Sequence, residues 1–221
     1  MKTQVIIVAA GTGSRLRSQI PKALVLLKRK PIVSWSLDIF QRSSLIDGVV
    51  LVGHKDYLKE FGKIASRFSK VKTVVAGGAK RADSVRLGLE VVDEDTQIIL
   101  VHDAARPLID EPSIKRLLQA LKSYQAAILA VPVKPTIKSV DPKTLTVKET
   151  LQRNLLWEVQ TPQGFARQVL MDAHRQIFKE EATDDAVLVE KMGVRVKVVM
   201  GSQINIKITT AEDLQIAEQL L

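Results

Sequence analysis

Short apolar runs separated by amphipathic stretches set the rhythm of this chain. The first, QVIIVA at residues 4–9, is rich in β-branched residues and is followed at once by a glycine loop, the pattern of a strand buried on both faces of a parallel sheet. Similar runs recur as GVVLVG (48–53), KTVVAG (72–77), QIILVH (97–102), AAILAVPV (126–133) and RVKVVM (195–200). Helical spacing of apolar residues fills most intervals, as in Ile32, Trp35, Ile39 and Phe40, then Tyr57, Phe61 and Ile64, then Val85, Leu89 and Val92, then Ile114, Leu117 and Leu121. This alternation predicts an α/β fold, a mostly parallel twisted sheet with helices on both faces. Ligands of such folds collect at the carboxyl ends of the strands.

One segment departs from the rhythm. PTIKSVDPKTLTVKETLQ (135–152) alternates polar and apolar residues about a turn at Asp141-Pro142-Lys143, which predicts a hairpin. A lone two-stranded hairpin is marginal, so it is expected to protrude as a β-arm and pack on a second copy, making a homodimer; the alternative is a hairpin folded flat on its own domain. The length of 221 residues suits one domain over 1–221 carrying that arm. Near the end, Thr209 or Thr210 ahead of Glu212 and Asp213 predicts the start of a last helix.

Composition narrows the chemistry. No run approaches the roughly 20 apolar residues of a membrane span, and VIIVAA is too short for a secretory segment, so a cytoplasmic protein without a membrane partner is expected. The chain has no cysteine and three histidines, which excludes disulfides, zinc thiolates and thiol nucleophiles and leaves oxygen ligands for any metal. The net charge is +9, and residues 1–80 alone hold 15 Lys/Arg against 4 Asp/Glu. With few aromatic residues and no basic helix or finger motif, this field suits a polyanionic small molecule better than a nucleic acid.

The strongest candidate for holding that anion is AAGTGSRLRSQIPK (9–22). A dinucleotide fingerprint would need glycine where Leu16 stands, and a Walker loop would need Gly-Lys-Ser/Thr where the chain has Gly-Ser-Arg. What remains is a loop of small residues that lets backbone N–H groups approach phosphates, with Arg15 on it and Lys22 after Pro21. A second constellation, VHDAARP (101–107), follows a strand and puts Asp103 where an oxygen ligand for Mg²⁺ belongs, with a helix N-cap as the plainer reading. His102 reads as a buried, hydrogen-bonded residue. In a third, GGAKRADSV (77–85), the two glycines permit close approach and Ser84 is placed either to bond a base edge or, with Asp83, to cap a helix over 85–92. Arg153 and Lys207 are isolated cations by themselves. No Ser-His-Asp spacing and no acid/base carboxylate pair is visible, which points to electrostatic positioning instead of covalent catalysis.

Taken in order, AAGTGSRLRSQIPK, GGAKRADSV, VHDAARP, RNLLWEVQTPQGF (153–165) and NIKITTAEDL (205–214) resemble the 2-C-methyl-D-erythritol 4-phosphate cytidylyltransferases. The resemblance implies a Rossmann-like nucleotidyltransferase fold, a homodimer interlocked by the arm, and transfer of CMP from CTP to a polyol phosphate. It implies that Ala9, Ala10, Gly11, Gly13, Gly78, Ala79 and Ser84 surround the nucleotide, that Arg15 and Lys22 grip the triphosphate, and that Asp103 binds Mg²⁺. Arg153 and Lys207 would position the acceptor, with Arg106, Thr136 and Thr161 nearby and the arm residues reaching the partner subunit's site. A second metal ligand found late in related chains would fall on Asn205, a weak candidate, and Arg17 has no assigned role. Two alternatives share many of these features: a ribitol 5-phosphate cytidylyltransferase and a non-catalytic nucleotide- or RNA-binding module.

Overall fold

The computed structural model describes residues 1–16, 18–176 and 182–221; Arg17 lies outside them. The elements are β1 (Thr3–Ala9), β2 (Leu26–Leu27), β3 (Lys30–Pro31), α1 (Ile32–Arg42), β4 (Gly48–Gly53), α2 (Leu58–Ala65), β5 (Val71–Ala76), α3 (Arg81–Leu89), β6 (Ile98–Asp103), α4 (Glu111–Ala120), β7 (Ala126–Pro132), β8 (Lys138–Val140), β9 (Val147–Thr150), β10 (Trp157–Ala166), α5 (Arg167–Arg175), α6 (Asp185–Lys191), β11 (Val196–Met200) and α7 (Ala211–Leu220). Seven strands make one sheet in the order β11-β7-β10-β6-β1-β4-β5. All neighbours run parallel except β10, which is antiparallel to β6 and β7.

Alternate residues of β1 face opposite layers, which explains why its sequence is apolar without a break. Val5 and Ile7 pack with Leu37, Phe40, Phe61 and Leu117 on one side. Ile6 packs with Val52, Val85, Phe165 and Leu170 on the other. Each fully buried side chain of this size contributes on the order of 1.5–3 kcal/mol. A smaller cluster, Leu27, Ile32, Leu108, Ile208 and Ala217, fastens α7 and the segment before it beside the β2–β3 turn. That cluster determines where Lys207 stands.

The predicted strands are all present, within a residue or so at their ends. The largest consequence is at β6, which runs one residue further than QIILVH and takes in Asp103. Val8 of β1 pairs with Asp103, and Ala9 pairs with Gly53 of β4, so these strand ends finish level at one edge of the sheet. The helix expected over 85–92 begins earlier, at Arg81, because the Asp83 carboxylate accepts from Lys80 N at 3.1 Å and closes the first turn. Thr210 caps α7, its hydroxyl accepting from Asp213 N. The 135–152 hairpin forms as β8 and β9, and Asp141 Oδ1 accepts from Lys143 N and Thr144 N in its turn.

The strand β10 carries polar residues and Pro162 into the middle of the sheet, features that argue against a central strand. A bulge between Val159 and Gln163 accommodates them. Gln163 Nε2 donates to Asp184 Oδ2 while its Oε1 accepts from Ala186 N, so the polar side chain pins the start of α6. Among the described residues, no helix is long and apolar enough to cross a membrane.

Gly88 of α3 lies against the sheet, and a Cβ there would meet Ile6 Cγ2 at 2.7 Å and Val52 Cγ2 at 3.1 Å. Alanine would gain about 1 kcal/mol of helix propensity but would overpack stiff β-branched neighbours at a cost of about 1–3 kcal/mol. Gly88→Ala is therefore expected to lower the denaturation midpoint, as read by chemical unfolding; a raised midpoint would contradict the packing.

Candidate active site

At the level edge of β1, β4, β5 and β6 lies an open cavity of about 650 Å³. Ala9, Ala10 and Gly11 follow β1 into it, Gly78 and Ala79 follow β5, and Asp103 ends β6. Gly13, Arg15, Lys22, Ser84 and Lys207 complete the set of expected residues that line it. Lys80 and Arg81 of the same third motif, with His54 and Lys55 after β4, line it as well. Among the described residues, six Lys/Arg side chains and a single carboxylate thus face one space, which suits a ligand with several negative charges.

Two glycines make the loops fit. Gly13 sits at φ +70°, and a Cβ on it would come within 2.5 Å of Lys22 Cβ, so the loop can fold against Lys22 only without a side chain. A Cβ on Gly77 would collide with Ala10, so the loops after β5 and β1 touch. Ser84 Oγ donates to Lys80 O and accepts from Gly78 N, both at 3.2 Å, which fixes the turn between them. Lys22 Nζ donates to Ile208 O at 2.8 Å. Burial, with repulsion from Lys207 and Arg15 and despite Asp103, lowers the Lys22 ammonium to about 8.

Asp103 is the electrostatic centre. Its Oδ1 accepts from Arg81 Nε at 3.0 Å and its Oδ2 from Lys207 Nζ at 2.6 Å. Burial alone would raise this carboxyl, but the two cations outweigh it and hold it far below the usual carboxylate range. Asp103 N donates to Thr161 Oγ1 at 3.0 Å, and that hydroxyl lies 3.1 Å from His102 Nδ1. With Thr161 donating to Nδ1, His102 Nε2 carries the proton and donates to Arg106 O at 3.2 Å, an assignment made from these partners. Burial lowers the His102 imidazole to about 4, so it is neutral at pH 7. The expected buried role of His102 is what the structure displays.

Other expected site residues sit apart from the cavity of their own chain. Thr161 and Arg106 are buried behind Asp103, Arg106 donating to Asn205 O at 2.7 Å and Val159 O at 3.1 Å. Asn205 is buried too, its Nδ2 donating to Thr161 O, and does not line the cavity. Thr136 and Arg153 are exposed at the arm, where Arg153 donates to Lys134 O at 2.7 Å. Asp103 caps no helix; Asp110 caps α4.

The donor set can be tested against Mg²⁺. Each Asp103 oxygen accepts one hydrogen bond and retains a lone pair. Among the described residues no group of three or more His, Asp or Glu gathers as a cage. One carboxylate facing a polyanion site fits a Mg²⁺ held jointly with ligand phosphates.

Known proteins resemble this chain over nearly its whole length. A family model described as 2-C-methyl-D-erythritol 4-phosphate cytidylyltransferase matches residues 3–221. The chain is 42% identical over 225 residues to the protein of that name from Halalkalibacterium halodurans, covering 100% of this chain and 97% of the relative. It is 43% identical over 227 residues to that of Alkaliphilus metalliredigens, covering 100% and 93%. Among solved structures, the 4-diphosphocytidyl-2C-methyl-D-erythritol synthase of Anaerococcus prevotii aligns with a TM-score of 0.87 at 30% identity, over 99% of this chain and 97% of that one. The Francisella tularensis cytidylyltransferase aligns with a TM-score of 0.84 at 33% identity over the whole of both chains.

The neutral state of His102 has a consequence for stability. The unfolded histidine binds its proton near pH 6.5 and the folded one only near 4, so the unfolded state holds more protons in that window. Stability is expected to fall by about 3 kcal/mol as pH drops from 6.5 to 4. Denaturant titrations of the native protein and of His102→Gln should differ by that slope; parallel curves would contradict the buried neutral imidazole.

Proposed function

The chain belongs to the 2-C-methyl-D-erythritol 4-phosphate cytidylyltransferase family, and from that premise we infer how its cavity is used. The protein is a nucleotidyltransferase that moves CMP from CTP to 2-C-methyl-D-erythritol 4-phosphate, a step of isoprenoid synthesis. A phosphate oxygen of the acceptor attacks the α-phosphorus of CTP in line, the α–β bridging bond breaks, and pyrophosphate leaves with the electron pair. The attacking oxygen is already ionised, so no strong general base is needed. The observation that carries this reading is the cavity's charge, six cations around one carboxylate among the described residues, at a site whose loops approach closely enough to present backbone donors.

In this reading Ala9, Ala10, Gly11, Gly13, Gly78, Ala79 and Ser84 hold the cytidine and the α-phosphate side of the loop. Arg15 and Lys22 neutralise the β- and γ-phosphates as charge moves to the leaving group. Asp103 would hold Mg²⁺ together with the triphosphate, and when bound the ion would supply further neutralisation of phosphate oxygens. Lys207, beside Asp103, positions the acceptor phosphate. Thr161 and Arg106 support that end from behind, through Asp103 N and the 204–208 segment. The reaction belongs in the cytoplasm, where CTP is supplied. Neither a ribitol 5-phosphate enzyme nor a non-catalytic module is favoured by the full-length relatives.

The arm supplies the remaining residues through a homodimer. Val140, Val147 and Trp157 are exposed on or beside it, and Leu145 and Leu155 are 78% and 69% exposed. Such side chains on a two-stranded hairpin call for a covering partner. Arg153 and Thr136 then enter the partner subunit's cavity.

Purified protein is expected to release pyrophosphate from CTP with 2-C-methyl-D-erythritol 4-phosphate and far less with ribitol 5-phosphate; the reverse preference, or none with either, overturns the reading. Lys22→Ala should cost about 10²- to 10³-fold in kcat, the loss typical of one transition-state donor. For the native enzyme, kcat/KM for CTP should fall as pH rises through about 8, where free Lys22 loses its proton, and Lys22→Arg should move that limb upward. A limb unmoved in Lys22→Arg would assign it elsewhere. Mixing the impaired Lys22→Ala with Arg153→Ala should raise turnover above that of either variant alone through hybrid dimers; no rise would place Arg153 outside the shared site.

A further inference from the structure

Behind the cavity, on the α3–α5–α6 face of the sheet, Arg81 continues into a pair of buried charges, Asp185 and its partner His174, that the reaction as described does not use. Arg81, the first residue of α3, donates through Nε to Asp103 and through Nη1 to Asp185 Oδ2 at 2.7 Å. Asp185, the first residue of α6, has a side chain only 1% exposed, and its Oδ1 lies 2.9 Å from Nε2 of His174 on α5, whose side chain is 5% exposed. Burial by itself would raise the Asp185 carboxyl; Arg81 first, then His174, hold it low, so it stays ionised. A charge buried this completely is retained only with close partners, and replacing such a cluster as a whole with well-packed apolar residues is often neutral for stability, whereas removing one member alone is costly. Its cost is explained by what it aims.

We propose that Asp185, steadied by His174, is a positioning residue that holds the Arg81 guanidinium against Asp103 and so orients the carboxylate for the metal–triphosphate. These residues are anchored differently. Asp184 and Gln163 lock the first turn of α6 to β10, which fixes Asp185 independently of any ligand. Arg81 is the cation on Asp103 whose far side is tied into the protein, whereas the Lys207 side chain is 41% exposed and free to turn toward an incoming phosphate. When Lys207 turns away, Arg81 alone keeps Asp103 aligned, and its angle is set by Asp185. The inference rests on the cytidylyltransferase reading of the cavity.

The test measures two quantities on the full-length protein: CTP binding by calorimetry at a series of Mg²⁺ concentrations without acceptor, and steady-state turnover. Asp185→Asn keeps the size and loses the charge. It is expected to raise the Mg²⁺ concentration needed for half-maximal CTP binding and to lower kcat/KM for CTP, each by about 10- to 100-fold, while the KM for the acceptor is unchanged. In an Arg81→Gln background the same substitution should cause no further loss of binding or turnover, because its effect passes through Arg81. Arg86→Gln, which removes an exposed pair with Glu90 one turn along α3, should behave as native. Equal losses from Asp185→Asn in both backgrounds, or native binding and turnover in a folded Asp185→Asn protein, would overturn the proposal. If circular dichroism shows Asp185→Asn unfolded, His174→Asn carries the same comparison with the same outcomes. Native protein inactive with CTP and acceptor would refute the cytidylyltransferase reading itself, a result distinct from either.

Discussion

The Asp103 carboxylate, buried at the end of a central strand and clasped between Arg81 and Lys207, is the constraint around which the rest of the structure is organised. A buried ion without partners costs several kcal/mol even after relaxation, so the fold has to deliver two cations to one point from distant parts of the chain. The first turn of α3 brings one. The segment before α7, fastened by Leu27, Ile32 and Ile208, brings the other. Behind them, Thr161 satisfies the Asp103 amide, and neutral His102, bonded to Thr161 and to Arg106 O, holds the strand end against β10 and the Arg106 loop. The carboxylate therefore enters the cavity charged and oriented before any ligand arrives.

Around that centre the cavity is unbalanced in charge, and the imbalance is what makes it a triphosphate site in our reading. Lys22 shows the tension most clearly, because burial and cationic neighbours loosen its proton while a backbone carbonyl is its resting partner. A polyanion relieves both strains at once. The glycines serve the same end by geometry: Gly13 and Gly77 let the loops after β1 and β5 close on Lys22 and on Ala10, respectively, where any side chain would hold them apart.

Much of this was legible in the residue order, for identifiable reasons. The parallel strands announce themselves because both faces of the sheet are covered, so their sequences are apolar without interruption. The arm was visible because a solvated hairpin alternates. By contrast, β10 was concealed: Gln163 and Pro162 look like loop residues until the bulge and the α6 start that Gln163 binds are seen. Arg81 stood within a quoted motif, yet its meaning depends on Asp185, 104 positions away, and no periodicity connects them. Thr161 and Arg106 belong to the motifs that resemble the family, but only the packing reveals that their polar groups point to Asp103 N and to the 204–208 segment instead of into the cavity.

In our reading the loop after β1 and Lys22 receive the triphosphate of CTP opposite Asp103. A crystal structure of the protein with CTP and Mg²⁺ tests it directly. The predicted result is a triphosphate lying along residues 10–15, with Lys22 Nζ moved from Ile208 O onto a phosphate oxygen and Asp103 still held by Arg81. A nucleotide bound elsewhere, or one whose phosphates leave Lys22 on Ile208 O, would contradict it.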